Sequence, residues 1–473
     1  MKGARGIAGR SAGANVATGR SGSSSAESAG LPARRAALEI IVRVERQGSF
    51  ADVLLGHRLG AFAPADRRLV TQLVLGTTAW RGRLDYELAR IATRKLDEIA
   101  PDVISILRMA LYQIRLLSRV PHHAAVDTAV NLAHETSGGA GAARFVNAVL
   151  RNAIRSPVPL PSRSVDEIEY LAVAYSHPKW LVEKFVEWFG VSEGEALLAA
   201  DNEAAPTVLR MNLVQGSVSE IAARIEGEEM RVARHGLFPE TLVLDGAPSF
   251  ASSAYRNGLF HPQSEASQMV SHLLAPASGA TVADCAAAPG GKTTHLAAMV
   301  GASGRVVALD ANFAGLKHAR ALARKLGCDN VRFARCDGLR GIPLRPRSLD
   351  FLLLDAPCTG LGTLREHPEI RWRLAPADIQ RMAAIQTAML ENAAEVVRPL
   401  GALVYSVCSL APDEGSEVVR NFLARHPNFE IDREPPNGRE LADVLDQEGF
   451  MITRPDRHGL DGFFAARLKR RSA

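Results

Sequence analysis

Residues 284–292 read Asp-Cys-Ala-Ala-Ala-Pro-Gly-Gly-Lys, and this stretch decides the fold. An apolar run at residues 280–283 precedes it and a helical pattern at residues 293–300 follows it, so it is predicted to join a strand to a helix. Gly290 and Gly291 allow the main chain to approach a ligand closely. Because the stretch lacks the GxxxxGK[ST] spacing of a P-loop, binding of a nucleoside triphosphate is not expected.

The alternation of apolar runs and helical patterns continues beyond this loop. Further strands are predicted at residues 305–309, 331–335, 349–354 and 402–407, and helices at residues 314–326 and 379–397. This βαβ order predicts an α/β domain with a mostly parallel sheet and helices on both faces. Four of the predicted strands lead into aspartates, which are Asp284, Asp310, Asp337 and Asp355. Because ligands of such sheets bind outside the carboxyl ends of the strands, these residues predict a ligand site.

The aspartates have an ordinary alternative role, because a single aspartate at a strand end is commonly a helix N-cap. Four in succession are better explained by a ligand. Asp310 follows the glycine loop by about 20 residues, where a carboxylate can accept hydrogen bonds from ribose hydroxyls. Asp337 ends the next strand, near the expected adenine edge. A nucleotide-like ligand without a phosphate chain fits this pattern, and S-adenosylmethionine is such a ligand.

Two cysteines, Cys358 and Cys408, each follow a predicted strand of the same domain. A thiol can attack an electron-poor carbon, and a second acid–base group can complete the reaction. The other cysteines, Cys285, Cys328 and Cys336, are expected to be buried small apolar residues. Five cysteines without a CxxC pair argue against a disulfide framework or a zinc site, and favour a reducing compartment.

The length of 473 residues predicts several domains. We expect a basic arm at residues 1–33, an all-helical domain at 34–156, a linker with a small α/β connector at 157–275, and the main domain at 276–473. The arm is Arg- and Ser-rich like a transit peptide, but its glycines favour a flexible segment. No apolar run is long enough to span a membrane.

Charge is distributed unevenly, because residues 1–156 carry 22 Lys and Arg against 12 Asp and Glu (+10), which leaves −5 for the rest of a chain of net charge +5. This balance suggests a polyanionic partner, although solvated helix faces would explain it equally well. The candidate phosphate contacts are Arg34, Arg35, Arg67, Arg68, Arg81 and Arg83. A second basic and aromatic cluster, Arg365, His367, Arg371, Trp372 and Arg373, could hold RNA and stack a base.

The motifs together resemble a known family, the NOL1/NOP2/Sun RNA 5-methylcytosine methyltransferases. The segments that carry the resemblance are residues 206–212, 263–268, 284–292, 355–360, 364–373, 407–409 and 461–464. The helical domain resembles NusB, an RNA-binding fold. With residues 145–151 (FVNAVLR) and 176–181 (SHPKWL), the pairing resembles the RsmB branch, which methylates small-subunit ribosomal RNA.

The resemblance implies a Rossmann-like class I methyltransferase domain behind a NusB-like domain and a connector. It implies Cys408 as the nucleophile, Cys358 as the residue that helps to release the adduct, and Asp355 as a hydrogen-bond partner of N3 of the base. The implied S-adenosylmethionine contacts are Ala286, Ala287, Ala288, Pro289, Gly290, Gly291, Lys292, Asp310, Asp337 and Asp355. The expected partner is RNA, 16S ribosomal RNA in particular, and we expect a cytoplasmic monomer without metal or membrane.

The sequence departs from the family pattern at two positions. Cys285 lies one place before the usual cysteine, where this chain has Ala286, and Val407 replaces a frequent threonine. Three other functions compete with this interpretation of the sequence. They are a DNA cytosine methyltransferase, in which the Pro-Cys thiol would attack, a non-catalytic RNA-binding factor, and a methyltransferase acting on transfer RNA or another ribosomal site. Residues 407–409 and the NusB-like domain argue against the first, and the intact aspartates and cysteines of the site argue against the second.

Overall fold

A computed structural model describes residues 30–228, 230–246 and 249–472. The predicted arm at residues 1–33 lies almost wholly outside this range, but helix α1 begins at Leu31, so residues 31–33 are helical. Within the described ranges, no helix combines the length and apolar character that crossing a membrane requires. The chain forms two compact units. The first comprises the described residues up to Gln47, Leu55–Thr77 and Glu87–Val158, and the second comprises Gly48–Leu54, Thr78–Tyr86 and the described residues from Pro159 onward.

The N-terminal region is helical, as predicted. Its helices are α1 (Leu31–Gln47), α2 (Ala51–Arg58), α3 (Pro64–Ala79), α4 (Arg81–Ile91), α5 (Pro101–Leu116), α6 (His122–His134) and α7 (Gly139–Arg155). Helix α5 is buried on all sides and forms the core of the first unit. One predicted phosphate contact is wrong, because Arg34 is buried and its Nε donates to Gln113 Oε1 at 2.8 Å.

The second unit contains a small subdomain. The predicted linker at residues 157–178 is partly wrong, because α8 (Glu167–Ala174) forms there, capped by the Asp166 side chain. The following elements are α9 (Lys179–Ala200), β1 (Thr207–Met211), α10 (Val218–Glu226), β2 (Val232–His235), β3 (Thr241–Leu244), α11 (Ser253–Arg256) and β4 (Phe260–Pro262). The strands pair antiparallel in the order β2-β3-β1-β4, and α9 is kinked at Gly190.

The main sheet follows from residue 265 onward. Its elements are α12 (Glu265–Leu274), β5 (Thr281–Cys285), α13 (Gly291–Val300), β6 (Arg305–Asp310), α14 (Phe313–Lys325), β7 (Val331–Arg335), β8 (Leu349–Asp355), α15 (Ile370–Arg373), α16 (Pro376–Val396), β9 (Val397–Val407), α17 (Ser416–Arg425), β10 (Phe429–Ile431), β11 (Phe450–Thr453), α18 (Pro455–His458) and β12 (Phe463–Arg470). The strand order is β10-β12-β9-β8-β5-β6-β7, with β11 paired to β12. Strands β5 to β9 are parallel, and β12 runs antiparallel to β9.

Successive residues of the central strands point to opposite faces of the sheet, as strand geometry requires. Val282 packs in the cluster that contains residues of α12, α13 and α14, whereas Ala283 packs in the cluster with residues of α16 and α17. Both faces are therefore covered, which explains the nearly continuous apolar runs. The structure confirms the predicted α/β domain with a mostly parallel sheet.

Candidate active site

The carboxyl ends of the parallel strands form one edge of the sheet, and the predicted site residues lie there. Cys285 ends β5, Asp310 ends β6 and Asp355 ends β8. Cys408 follows the last residue of β9. Because β5 lies between β6 and β8, the glycine loop occupies the middle of this edge. One half of the edge, at β5 to β7, carries the loop and Asp310, and the other half, at β8 and β9, carries the thiols.

The glycine loop joins β5 to α13 through two residues that have positive φ angles. Ala286 has φ 66° and Gly290 has φ 108°. A Cβ atom at Gly290 would lie 2.8 Å from Cα of Ala319, so glycine is required there both for its conformation and for space. The amide of Ala288 donates to Oδ2 of Asp310 at 2.9 Å. The loop is therefore fixed to the neighbouring strand through main-chain groups.

The two aspartates beyond β6 and β7 differ in their surroundings. Asp310 accepts hydrogen bonds from the amides of Ala288 and Asn312, at 2.9 and 2.7 Å, one to each oxygen, so each oxygen has the capacity to accept another. Asp337 is exposed and accepts the amide of Leu339 at 3.1 Å, so it also has the ordinary capping role. The glycine loop and Asp310 together offer the main-chain approach and the acceptors that an adenosyl group needs.

Lys292 and Asp355 form an ion pair at the centre of the site. Lys292 Nζ lies 2.8 Å from Asp355 Oδ2, and Ser406 Oγ donates to Asp355 Oδ1 at 2.7 Å. Burial alone would lower the pKa of Lys292, but Asp355 and the nearby Cys408 more than offset this effect, so the pKa is raised. Lys292 therefore carries a positive charge at neutral pH, beside the ring of Phe463 at 5.2 Å.

Two thiols meet in the loops that follow β8 and β9. Sγ of Cys358 lies 2.9 Å from Sγ of Cys408, and both residues are free cysteines of intermediate burial. The hydrogen bond with Cys408, followed by burial, raises the pKa of Cys358 well above its ordinary value. Cys358 is thus held as a neutral thiol in contact with the second sulfur.

The remaining cysteines are buried, as predicted. Cys285, Cys328 and Cys336 all lie in the core of the domain. Burial raises the pKa of Cys285, and it raises the pKa of Cys328 to about 11. Their thiols are therefore protonated at neutral pH and are not nucleophiles. The early position of Cys285 affects only packing behind the loop.

The predicted RNA-gripping cluster after Cys358 is wrong for two of its five residues, Arg365 and Arg371. Arg371 is fully buried and donates to Asn202 Oδ1 at 2.8 Å and to the carbonyl oxygen of Asp201 at 3.0 Å. Arg365 is also buried and donates to the carbonyl oxygen of Gly459 at 3.0 Å. These charged side chains hold loops together inside the second unit. A sequence pattern cannot distinguish such buried guanidinium groups from the exposed ones that contact phosphate.

In the parts of the chain that the structure describes, two groups of side chains have donor sets that could hold a metal ion: Glu240, His272 and His295, and Asp52, His367 and Glu369. In the first group, Oε1 of Glu240 accepts from Nε2 of both imidazoles, at 2.6 and 3.0 Å. Burial lowers the pKa of His295 to about 3, so this ring is neutral. The first group is accordingly a closed hydrogen-bonded cluster between the connector and α13.

One buried acid near the thiols has no counterpart in the sequence prediction. Glu414 lies six residues after Cys408 and is completely buried. The only sign of Glu414 in the sequence is that an acidic residue follows shortly after the Cys408 motif. An acidic residue in a solvent-exposed loop would give the same sequence pattern. The contacts of Glu414 form only in the folded protein, where the loops after β8 and β9 lie next to each other.

The fold and site together define the class of Rossmann-like methyltransferases, and comparison with known proteins narrows that class. Three family models match: the NusB family at residues 31–155, the ferredoxin-like domain of RsmF/B-like methyltransferases at residues 177–251, and 16S rRNA methyltransferase RsmB/F at residues 271–469. The chain belongs to the RsmB family of ribosomal RNA methyltransferases. The resemblance inferred from the motifs is confirmed.

Individual relatives match over almost their whole length. The probable ribosomal RNA small subunit methyltransferase B of Bacillus subtilis is 31% identical, over 93% of this chain and 98% of its own. The ribosomal RNA small subunit methyltransferase B of Thermus thermophilus is 35% identical, with the same coverage of both chains. The crystal structure of the protein PH0851 has a TM-score of 0.78 at 27% identity, and covers 92% of this chain and 98% of that one.

Proposed function

We propose that this protein methylates carbon 5 of a cytosine in 16S ribosomal RNA through a covalent cysteine–cytosine adduct. The observation that carries the proposal is the pair of thiols in contact, 2.9 Å apart, next to the Lys292–Asp355 ion pair. Carbon 5 of cytosine is a poor nucleophile and needs activation. A thiol that adds to carbon 6 supplies this activation, and a second group must then help the first to leave.

Cys408 is the nucleophile in this scheme, as the family resemblance implies. Its thiol gives up its proton as the sulfur bonds to carbon 6 of the ring, N3 of the ring takes up one proton, and the Asp355 carboxylate stabilises the protonated ring by accepting a hydrogen bond from N3. Lys292 stabilises negative charge on the attacking sulfur and on Asp355. S-adenosylmethionine, bound by the glycine loop with Lys292, Asp310, Asp337 and Asp355, would supply the methyl group to the activated carbon 5.

Cys358 completes the cycle. Its thiol proton passes to the sulfur of Cys408 as the bond from that sulfur to carbon 6 breaks, while its own sulfur takes the proton from carbon 5. The electron pair of that C–H bond forms the double bond between carbons 5 and 6, the N3 proton is released to solvent, and both cysteines end as thiols. The raised pKa of Cys358 supports this role, because the residue begins as a neutral acid in contact with the leaving sulfur.

RNA is the proposed partner because the relatives are named as ribosomal RNA small subunit methyltransferases and the N-terminal region matches the NusB family. The target base has to be unpaired or flipped out to reach a thiol in a half-buried site. We expect the protein to act as a monomer in the cytoplasm, where its RNA substrate is found.

Product analysis tests the proposal. The full-length protein is incubated with S-adenosylmethionine and unmethylated 16S ribosomal RNA, with transfer RNA in a parallel reaction, and the digested RNA is analysed by mass spectrometry. We expect 5-methylcytidine in 16S RNA only. A different methylated nucleoside would contradict the chemistry, methylation of transfer RNA alone would contradict the substrate, and no methylation of either RNA would favour a non-catalytic factor.

A further inference from the structure

Glu414 is a buried acid that the proposed mechanism does not use. It ends the short 3-10 helix Pro412–Glu414 in the loop between Cys408 and α17, and its side chain has no access to solvent. Among the described residues, no Lys, Arg or His lies within salt-bridge distance of its carboxylate. Burial of a carboxylate without a cation is energetically costly unless hydrogen bonds satisfy its oxygens. The residues that donate these hydrogen bonds therefore indicate the role of Glu414.

Four donors surround the carboxylate. Oε2 accepts the amide of Thr359 and Nε2 of Gln386, both at 2.9 Å. Oε1 accepts the hydroxyl of Ser409 at 2.6 Å and the hydroxyl of Thr359. All four lone-pair positions of the carboxylate are therefore used, and only a carboxylate accepts four hydrogen bonds at this size.

The donors identify what the carboxylate connects. Thr359 directly follows Cys358, and Ser409 directly follows Cys408. Gln386, the remaining donor, also donates to the carbonyl oxygen of Pro357, the residue before Cys358, at 2.9 Å. The side chain of Glu414 thus accepts hydrogen bonds from the residue that follows each of the two cysteines. In addition, the amide of Gly362 donates to the carbonyl oxygen of Cys408 at 3.0 Å, which is a main-chain link between the same loops.

We propose that Glu414 is a positioning residue that locks the two cysteine loops together and so sets the distance between the two thiols. Its consequence for catalysis rests on the proposed function, because the contact between the sulfurs serves proton transfer only if Cys408 leaves an adduct. The negative charge of Glu414 also contributes to the raised pKa of Cys358, after the hydrogen bond with Cys408 and burial. The same carboxylate thereby helps to keep Cys358 protonated.

Thiol exchange without RNA tests the positioning directly. The full-length protein is equilibrated with reduced and oxidised glutathione, and the fraction with a Cys358–Cys408 disulfide gives the effective concentration of one thiol at the other. In this reaction the two protein thiols are oxidised and one glutathione disulfide is reduced to two thiols. We expect E414Q to lower the effective concentration at least about tenfold, because its amide presents N–H groups to donors.

The control is D432N, which alters another buried carboxylate of the same domain. Asp432 pairs with Arg467 and Lys469, away from the thiols. We expect D432N to lower the unfolding temperature while the effective concentration stays within twofold of wild type. An E414Q protein with a wild-type effective concentration would overturn the proposal. If E414Q does not fold, the double variant Thr359→Val with Ser409→Ala removes the two hydroxyl donors and is expected to give a decrease of at least about threefold. No decrease in that variant would equally overturn the proposal.

Methylation assays separate this inference from the proposed function. We expect E414Q to bind S-adenosylmethionine with the affinity of the wild type, but to turn over at least about tenfold more slowly and to accumulate protein–RNA adduct. D432N should neither slow turnover nor accumulate adduct. If E414Q alters thiol exchange but turns over at the normal rate, the claim that the distance between the thiols matters for catalysis is overturned. Loss of the adduct chemistry in all variants would instead count against the proposed function, while the exchange result still reports on the loops.

Discussion

The two halves of the sheet edge are built differently. At β5 to β7, the donors are main-chain groups: the amides of Ala287 and Ala288 donate to the carbonyl oxygen of Leu309 and to the Asp310 carboxylate. At β8 and β9, side-chain carboxylates add to one main-chain link, since Asp355 and Glu414 accept hydrogen bonds from the hydroxyls of Ser406 and Ser409. The cofactor half therefore depends on backbone shape, and the thiol half depends on individual functional groups. Substitutions in the thiol half should have the larger effects.

The largest effect is expected at the proposed nucleophile. Cys408→Ala should lower the rate of methyl transfer by a factor on the order of 10³ or more, because the ring would no longer be activated, and should leave S-adenosylmethionine affinity unchanged. Single-turnover transfer of a labelled methyl group measures this rate. Cys328→Ala, which alters a buried cysteine of the same domain, serves as the control and should retain activity. A fully active Cys408→Ala protein would rule out the covalent scheme.

The second largest effect is expected for the Lys292–Asp355 ion pair. Lys292→Met removes the positive charge beside Asp355 and Cys408, and we expect kcat to fall by about 10², a typical loss for a group that stabilises developing charge. Lys317→Met is the matched control, because Lys317 lies on α14 against the ring of Phe313. A similar decrease in both variants would show that the effect is not local to the site.

The cofactor half should give a smaller effect of a different kind. Gly290→Ala forces a Cβ atom against Ala319 at a positive φ, so the loop must shift, and KM for S-adenosylmethionine should rise about tenfold with little change in kcat. Gly341→Ala is the control, because Gly341 has φ 104° but open space around its Cβ position. Steady-state kinetics at saturating RNA compares the KM values of the Gly290→Ala and Gly341→Ala proteins. Equal increases in KM would indicate that backbone strain at a positive φ, and not the contact with Ala319, causes the effect.

The last prediction concerns pH and stability, and we expect its effect on turnover to be the smallest. Burial raises the pKa of Asp284, behind the loop, to about 7, so the folded state holds a proton that the unfolded state has lost. Between about pH 4 and pH 7 the free energy of unfolding should therefore decrease as pH rises, by at most about 1.4 kcal/mol per pH unit from this group. Asp284→Asn should remove that contribution. Urea unfolding of both proteins across this range tests it, and identical slopes would contradict the assignment.

The same contrast decides how much the sequence could predict. The parallel strands were predictable, and Leu349–Asp355 is observed where residues 349–354 were expected, because strands inside the sheet are nearly continuous apolar runs bounded by turns. Helix Glu167–Ala174 was not predicted, since the prolines and serines before it suggested a linker. The role of Glu414 and the burial of Arg371 depend on which loops meet, and no local pattern encodes such contacts.

Covalent trapping tests most directly the division of labour between the two cysteines. Cys358→Ala and Cys408→Ala proteins are each incubated with S-adenosylmethionine and unmethylated 16S RNA and then run on denaturing gels. With Cys408 as nucleophile and Cys358 as the releasing residue, a slowly migrating protein–RNA band should accumulate with Cys358→Ala and be absent with Cys408→Ala. A band with Cys408→Ala and none with Cys358→Ala would contradict the account and make the Pro-Cys thiol the nucleophile.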